Sequence, residues 1–237
     1  MNIQDSALQA SPQKIGRIAG CSLLGTIFIG IVSALFVVEG IDINLSADVI
    51  ATAQNMLEAE THLRAKAYIG LATFGLGVAV SVGLFLLLKP SGQLLAGWSL
   101  LVSLGSAILS LLGAVFALTA AEIAGDVAYA QLASDDQRLL LTGLQATSDY
   151  TSFHLGLILS SASMAGFFYL FLKSGLLPKI LAGWGLFASL FVVTAVVVRD
   201  FIPIVGHNAV TLSFMASNLI ALVGTGLYLA IKGVRSV

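Results

Sequence analysis

Six long apolar runs without charged residues dominate this chain of 237 residues. A helix needs about 20 apolar residues to cross the hydrocarbon core of a bilayer, whereas barrel strands alternate polar and apolar residues over about ten positions. Helices also satisfy all of their backbone hydrogen bonds within lipid. The sequence therefore predicts an all-α, polytopic membrane protein, a single helical-bundle domain over 1–237 with transmembrane helices at about 18–38, 67–88, 94–121, 150–172, 180–198 and 208–231.

The composition excludes several other classes of protein. Hydrophobic residues make up 58% of the chain and charged residues 10%, with a mean hydropathy of +1.00, whereas soluble domains carry about 25% charged residues. The formal net charge of -1 argues against nucleic acid as a partner, because such proteins present a basic surface. The single cysteine, Cys21, cannot form an internal disulfide or build a cysteine-rich metal site.

The distribution of charge predicts the orientation. An even number of spans places both termini on one side, and that side carries seven basic residues against one acid, Asp5, while the other carries four basic and eleven acidic residues. Because cytoplasmic loops are enriched in Lys and Arg, both termini are expected in the cytoplasm. The first run is longer than the core of a signal peptide and is expected to be retained. The basic residues of the terminal side are Lys14, Arg17, Lys89, Lys173, Lys179, Lys232 and Arg235.

Two loops on the acidic side have apolar residues at helical spacing. One predicted amphipathic helix covers 46–59 and is capped by Ser46, and a second covers 134–146. Such helices lie on the membrane or across the mouth of a bundle. A short repeat, Leu-Ala-Gly-Trp, follows the basic turns at Lys89 and Lys173 and places Trp98 and Trp184 as interfacial anchors.

The apolar runs contain no deeply placed Asp, Glu, Lys or Arg, and this absence predicts a protein that is not an enzyme, with no catalytic residues. Ionisable residues within spans are the usual sign of function in membrane proteins. The deepest polar side chain is Asn218, and Ser213 and Ser217 lie on a neighbouring face. These three could contact a ligand, or Asn218 could form a hydrogen bond to another helix.

Charged and imidazole groups near the ends of the spans are the remaining candidate contacts. Glu60 and Arg64 have the spacing of a helical ion pair, and binding of a lipid headgroup is the alternative role for Arg64. His62, His154 and His207 all fall near the acidic side. A metal or haem site there is conceivable, but the spacing is not that of a metal motif, so no cofactor is expected.

Several segments together resemble the DUF4386 family of small bacterial integral membrane proteins of unknown function. They are Arg17-Ile18-Ala19-Gly20, Glu60-Thr61-His62-Leu63-Arg64, and the turn around Ser174-Gly175 and Pro178-Lys179, where Ala182-Gly183 replaces a simpler Leu-Gly junction. The resemblance implies a bundle of about six helices in the bacterial cytoplasmic (inner) membrane. It brings no catalytic residue.

Three functional hypotheses follow. The favoured one is a non-catalytic accessory or scaffold subunit, or a bundle that binds lipids or partners, with membrane lipids, other membrane-protein subunits or a second copy as partners. The alternative is a transporter or channel for a small neutral solute, using Asn218 and Ser217. The third is a metal- or haem-binding protein that uses the three histidines on the acidic side.

Overall fold

The computed structural model describes residues 11–46 and 48–234, so Asp5 and Arg235 of the charge count lie outside the described residues. Within them the chain is helical, with nine α-helices, two short 3₁₀ turns and no strand. The α-helices are α1 (Pro12–Phe36), α2 (Ile43–Ser46), α3 (Val49–Glu58), α4 (Glu60–Leu88), α5 (Gln93–Gly125), α6 (Val127–Leu132), α7 (Asp135–Ser174), α8 (Lys179–Arg199) and α9 (Asn208–Lys232).

The six predicted spans are confirmed as α1, α4, α5, α7, α8 and α9, each long and apolar enough to cross a membrane. Four of them extend beyond their apolar runs, since α1, α4 and α7 begin 6, 7 and 15 residues earlier and α5 ends 4 residues later. Helix α7 has 40 residues, about 60 Å at 1.5 Å per residue, which is twice the thickness of the hydrocarbon core. The prediction of a separate surface helix at 134–146 is therefore wrong, because residues 135–146 are the first turns of α7. Thr147, Ser148 and Asp149 connect these turns to the span without a proline or glycine, so the helix continues.

The first amphipathic helix forms, but with a different cap. Helix α3 begins at Val49, and the side chain of Asp48 accepts hydrogen bonds from the amides of Ile50 and Ala51 at 2.9 and 3.0 Å. The predicted cap, Ser46, instead ends α2. A carboxylate directly before the first turn satisfies two of the amides that a helix start leaves unpaired, which explains why the helix begins there.

The chain forms two compact units whose boundaries fall inside helices rather than in loops. The first unit contains the chain up to Ile27, Leu76–Gly105 and the chain from Ile158 onward, and the second contains Phe28–Gly75 and Ser106–Leu157. Helices α1, α4, α5 and α7 contribute to both. The single domain over 1–237 remains a prediction.

The core of the first unit is apolar and closely packed. Phe167, Phe168 and Phe171 of α7 are fully buried in it. The indole nitrogen of Trp184 donates to the carbonyl oxygen of Ser217 at 3.1 Å, which joins α8 to α9. Gly20 of α1 lies against the backbone of α9. Buried aromatic side chains, a hydrogen bond between helices and a close backbone approach at one glycine thus hold these helices together.

Candidate functional site

The most buried charged group in the described part of the chain is a cluster of three side chains in the second unit. The ammonium nitrogen of Lys66 lies 2.6 Å from an Oδ2 atom of Asp149 and 3.3 Å from Oδ2 of Asp42. The three side chains are only 15 to 18% exposed. Charges at such depth are costly unless they are paired, and here one ammonium is shared by two carboxylates.

Three segments bring this cluster together. Lys66 lies in the second turn of α4, Asp149 lies inside α7, and Asp42 follows a turn that Gly40 makes with φ +75°. Asp42 Oδ1 accepts hydrogen bonds from the amide and side chain of Asn44 at 2.9 and 2.8 Å, which orients its other oxygen. Gly113 of α5 leaves room for Asp149, because a Cβ atom there would collide with the carboxylate.

Sequence reasoning missed this cluster. Lys66 and Asp149 each stand one position before an apolar run and were therefore assigned to loops. The helices begin earlier than the runs, so both residues are helical and largely buried. The only sequence signal is that Lys66 and Asp149 each directly precede an apolar run. That signal does not reveal that Asp42 completes the cluster.

The predicted pair of Glu60 and Arg64 is present, and Glu122 joins it. Arg64 Nε lies 3.0 Å from Glu60, and its Nη1 lies 2.9 Å from Glu122 of α5, with side-chain exposures between 39 and 47%. The carboxylate of Glu60 packs directly on Gly125. Because two carboxylates already bind the guanidinium, a lipid phosphate would have to displace one of them, so the intramolecular role is favoured.

Arg138 of α7 closes the end of α5. Its guanidinium donates to the carbonyl oxygen of Ile123 at 3.2 and 3.1 Å and to that of Ala124 at 2.9 Å. The last carbonyls of a helix lack partners within the helix, and a basic side chain satisfies them. Arg138 is therefore held by the fold and is only 19% exposed.

The three histidines lie in different surroundings. His62 is exposed and lines a surface cavity of about 250 Å³ with Glu39 and Glu58. His154 is buried, with its ring centroid 6.0 Å from that of Tyr150. His207 is the N-cap of α9, where Nδ1 accepts a hydrogen bond from the amide two residues later at 3.2 Å. Across residues 11–46 and 48–234, no three His, Cys, Asp or Glu side chains are placed to hold one metal ion.

The polar residues of the last span point to packing. Ser213 is exposed, and its hydroxyl donates to the carbonyl of Ala209 at 2.6 Å. Ser217 is buried, and its carbonyl accepts the indole of Trp184. Asn218 is half-buried. None of the three lines either of two cavities found among the described residues.

The larger of those cavities is an open groove of about 320 Å³ between α5 and α7 in the second unit. One wall is apolar and belongs to α5. The other belongs to α7 and carries hydroxyl groups, of which those of Thr147 and Thr151 donate to backbone carbonyls one turn earlier at 2.9 Å. The lining residues are Leu109, Leu112, Phe116, Thr147, Ser148, Thr151, Ser152 and Leu155. None of them is an acid or a base.

Six apolar helices and the charged clusters between their extensions define a multi-pass, membrane-spanning helical protein. The chain belongs to the DUF4386 family, because the model of that family, a domain of unknown function, matches residues 18–233. This confirms the resemblance drawn from the sequence. No curated protein and no solved structure matches the chain.

Proposed function

We propose that this protein is a non-catalytic accessory or scaffold subunit of the bacterial cytoplasmic membrane, which acts by contact with membrane-protein partners. The observation that carries the proposal is that the three partly buried basic side chains of the second unit are bound within the chain. Lys66, Arg64 and Arg138 are each bound to carboxylates or carbonyls of the same chain. They are committed to holding helices together rather than to binding a substrate.

The cavities support the same conclusion. A reaction centre requires a nucleophile, base or metal ligand that faces a space where a substrate can bind. The groove between α5 and α7 is lined by apolar and hydroxyl side chains, and the hydroxyls of Thr147, Thr151 and Ser152 donate to backbone carbonyls of α7. The smaller cavity is a shallow surface depression beside His62. Such surfaces suit packing against another helix or a lipid.

The exposed apolar residues provide the contact area. Phe28, Leu35 and Phe36 of α1 are 59 to 73% exposed. In a bilayer such a face meets either lipid chains or a neighbouring helix. Native mass spectrometry directly from membranes separates the two, because it reports bound proteins and lipids together. We expect a stoichiometric protein partner, whereas a chain that emerges with lipid alone, or entirely alone, would reject the subunit role.

We further propose that both termini face the cytoplasm, on the basis of the charge distribution. Fusions of a fluorescent protein and of a periplasmically active phosphatase at the C-terminus test this directly. Fluorescence without phosphatase activity is expected, and the reverse pattern would invert the topology.

The transporter alternative has weaker support. A solute pathway would require a cavity that passes Asn218, and the two cavities described above lie elsewhere. The metal alternative requires ligands in one place, and the described residues provide no such group of three.

A further inference from the structure

The groove between α5 and α7 is polar toward one end and apolar toward the other. Along α7 its lining residues run from Thr147, just before the apolar run, to Leu155, a distance of about 12 Å at 1.5 Å per residue. Helix α5 packs antiparallel to α7 here, so Leu109 lies at the same deep end as Leu155. The groove therefore follows the change from headgroups to hydrocarbon within one leaflet of a bilayer.

Three hydroxyl groups at the polar end of the groove can accept hydrogen bonds but not donate them. Those of Thr147 and Thr151 donate to carbonyls one turn earlier at 2.9 Å. That of Ser152 donates to the carbonyl three residues earlier at 3.0 Å. Because a hydroxyl has one proton and two lone pairs, only lone pairs remain for a ligand. A ligand that binds there must bring its own hydrogen-bond donors.

A carboxylate oxygen lies beside these hydroxyls. A Cβ atom at Gly113 of α5 would collide with Oδ1 of Asp149 and would lie 4.0 Å from the hydroxyl oxygen of Ser152, so both oxygens lie in the gap between the helices. Lys66 binds the other oxygen, Oδ2, and no described residue forms a hydrogen bond with Oδ1. With Asp42, the cluster has two carboxylates and one ammonium. One further ammonium would neutralise it.

The dimensions of the groove favour a lipid over a helix of a partner protein. A helix with its side chains is about 10 Å in diameter, so two turns would fill roughly 800 Å³. The groove holds about 320 Å³. Its apolar side chains are open to the surroundings, since Leu112 is 39% and Leu155 48% exposed. A single acyl chain can therefore enter from the hydrocarbon and lie along this wall.

From these observations we infer that the groove binds one lipid whose headgroup carries a primary ammonium, such as phosphatidylethanolamine, from the leaflet on the acidic side. The ammonium donates to Oδ1 of Asp149 and to the hydroxyl oxygen of Thr151, and an acyl chain lies along Leu109 and Leu112. The inference goes beyond the proposed subunit role and does not depend on it, because a lipid in this groove is compatible with the presence or absence of a protein partner.

Two matched lipids test the headgroup on the purified, full-length protein. Phosphatidylethanolamine and phosphatidylcholine with identical acyl chains have the same net charge, but the choline nitrogen has no N–H group. After removal of copurified lipid in a mild detergent, native mass spectrometry should show one tightly bound phosphatidylethanolamine. Phosphatidylcholine should bind about tenfold more weakly, because it cannot form the charge-assisted hydrogen bonds. Equal binding of the two lipids, or a preference for phosphatidylglycerol, would overturn the inference.

Variants at the polar end test which groups recognise the ammonium. Asp149→Asn, and the double variant Thr147→Val with Thr151→Val, should each reduce the preference for phosphatidylethanolamine to less than about threefold. Thr26→Val of α1 removes a hydroxyl that makes the same bond to a carbonyl one turn earlier; it is the matched control and should leave the preference unchanged. Because Asp149 also binds Lys66, the threonine variant provides the test if Asp149→Asn does not fold. A full preference in either folded variant, or an equal loss in Thr26→Val, would contradict this recognition.

The acyl chain is tested separately from the headgroup. Leu112→Trp fills the apolar wall and should weaken phosphatidylethanolamine binding about tenfold. Leu101→Trp, at a position 70% exposed on the same helix but outside the groove, is the control and should bind like the parent. The soluble headgroup glycerophosphoethanolamine, added in excess, should not displace the lipid. Equal binding by the two tryptophan variants would place the lipid elsewhere, and displacement by the soluble headgroup would make this a site for a water-soluble amine; either result rejects the lipid site.

Discussion

The close approach of Gly20 to the backbone of another helix allows a quantitative test of the fold. Gly20 of α1 faces α9, and a Cβ atom at this position would lie 2.5 Å from the amide nitrogen of Ala230 and 2.8 Å from the carbonyl oxygen of Gly226. Both contacts are to backbone, which cannot rotate away as a side chain can. Gly20→Ala should therefore force α1 and α9 apart.

The size of the effect follows from two opposing terms. Overpacking of a closely packed site costs about 1 to 3 kcal/mol, and replacing a helical glycine by alanine returns up to about 1 kcal/mol. The separation also strains the pair of hydrogen bonds between Gln13 and the backbone of Val234, at 2.7 and 3.2 Å. We expect a net loss of about 1 to 2 kcal/mol, which lowers the melting temperature by about 2 to 8 °C in a chain of this size.

The matched control lies on the same helix. Gly30 has no atom within 4 Å of the position of an added Cβ, so Gly30→Ala should be neutral or slightly stabilising. Thermal unfolding in detergent, followed by the fluorescence of Trp98 and Trp184, measures both variants. A Gly20→Ala protein as stable as the parent, or a Gly30→Ala protein that loses as much, would refute the packing of α1 on α9.

Substitutions at three further positions test the charged clusters. Lys66→Met leaves two poorly exposed carboxylates unpaired and should cost about 2 to 4 kcal/mol in unfolding experiments, whereas Lys66→Arg should recover part of this loss. Arg138→Met removes the hydrogen bonds to the end of α5, so faster hydrogen exchange at amides 120–125 is expected, with a loss of about 1 to 3 kcal/mol. Glu122→Gln acts on a half-exposed pair and should cost less than about 1 kcal/mol; a loss as large as that of Lys66→Met would contradict the exposures of the two clusters.

Local sequence patterns predicted the spans well and their ends poorly. Hydropathy located all six membrane helices, because the length of an apolar run is a property of consecutive residues. It placed the start of α7 about fifteen residues too late, since polar residues such as Thr147 and Asp149 lower hydropathy without breaking a helix. The cap of α3 was misplaced from Asp48 to Ser46 because both residue types cap helices equally well.

The candidate contacts were predictable only where the partners are close in sequence. The pair of Glu60 and Arg64 follows from its spacing along one helix. The histidines near one side of the membrane suggested a common site, yet His207 serves as a helix cap and His154 is buried beside Tyr150. Sequence predicts the depth of a residue in the membrane, but it does not predict which residue of another helix its side chain contacts.

The apolar runs alone therefore determined that this chain is a membrane-embedded helical bundle with its charges toward the ends of its spans. Tertiary structure alone decided that Lys66 lies between Asp42 and Asp149, which are 24 and 83 residues away, and that Met56 of α3 packs in one cluster with Ala120, Ala121 and Ala146. The reason is physical: transfer of a segment into lipid depends on its own side chains, whereas an ion pair across helices depends on how distant segments pack.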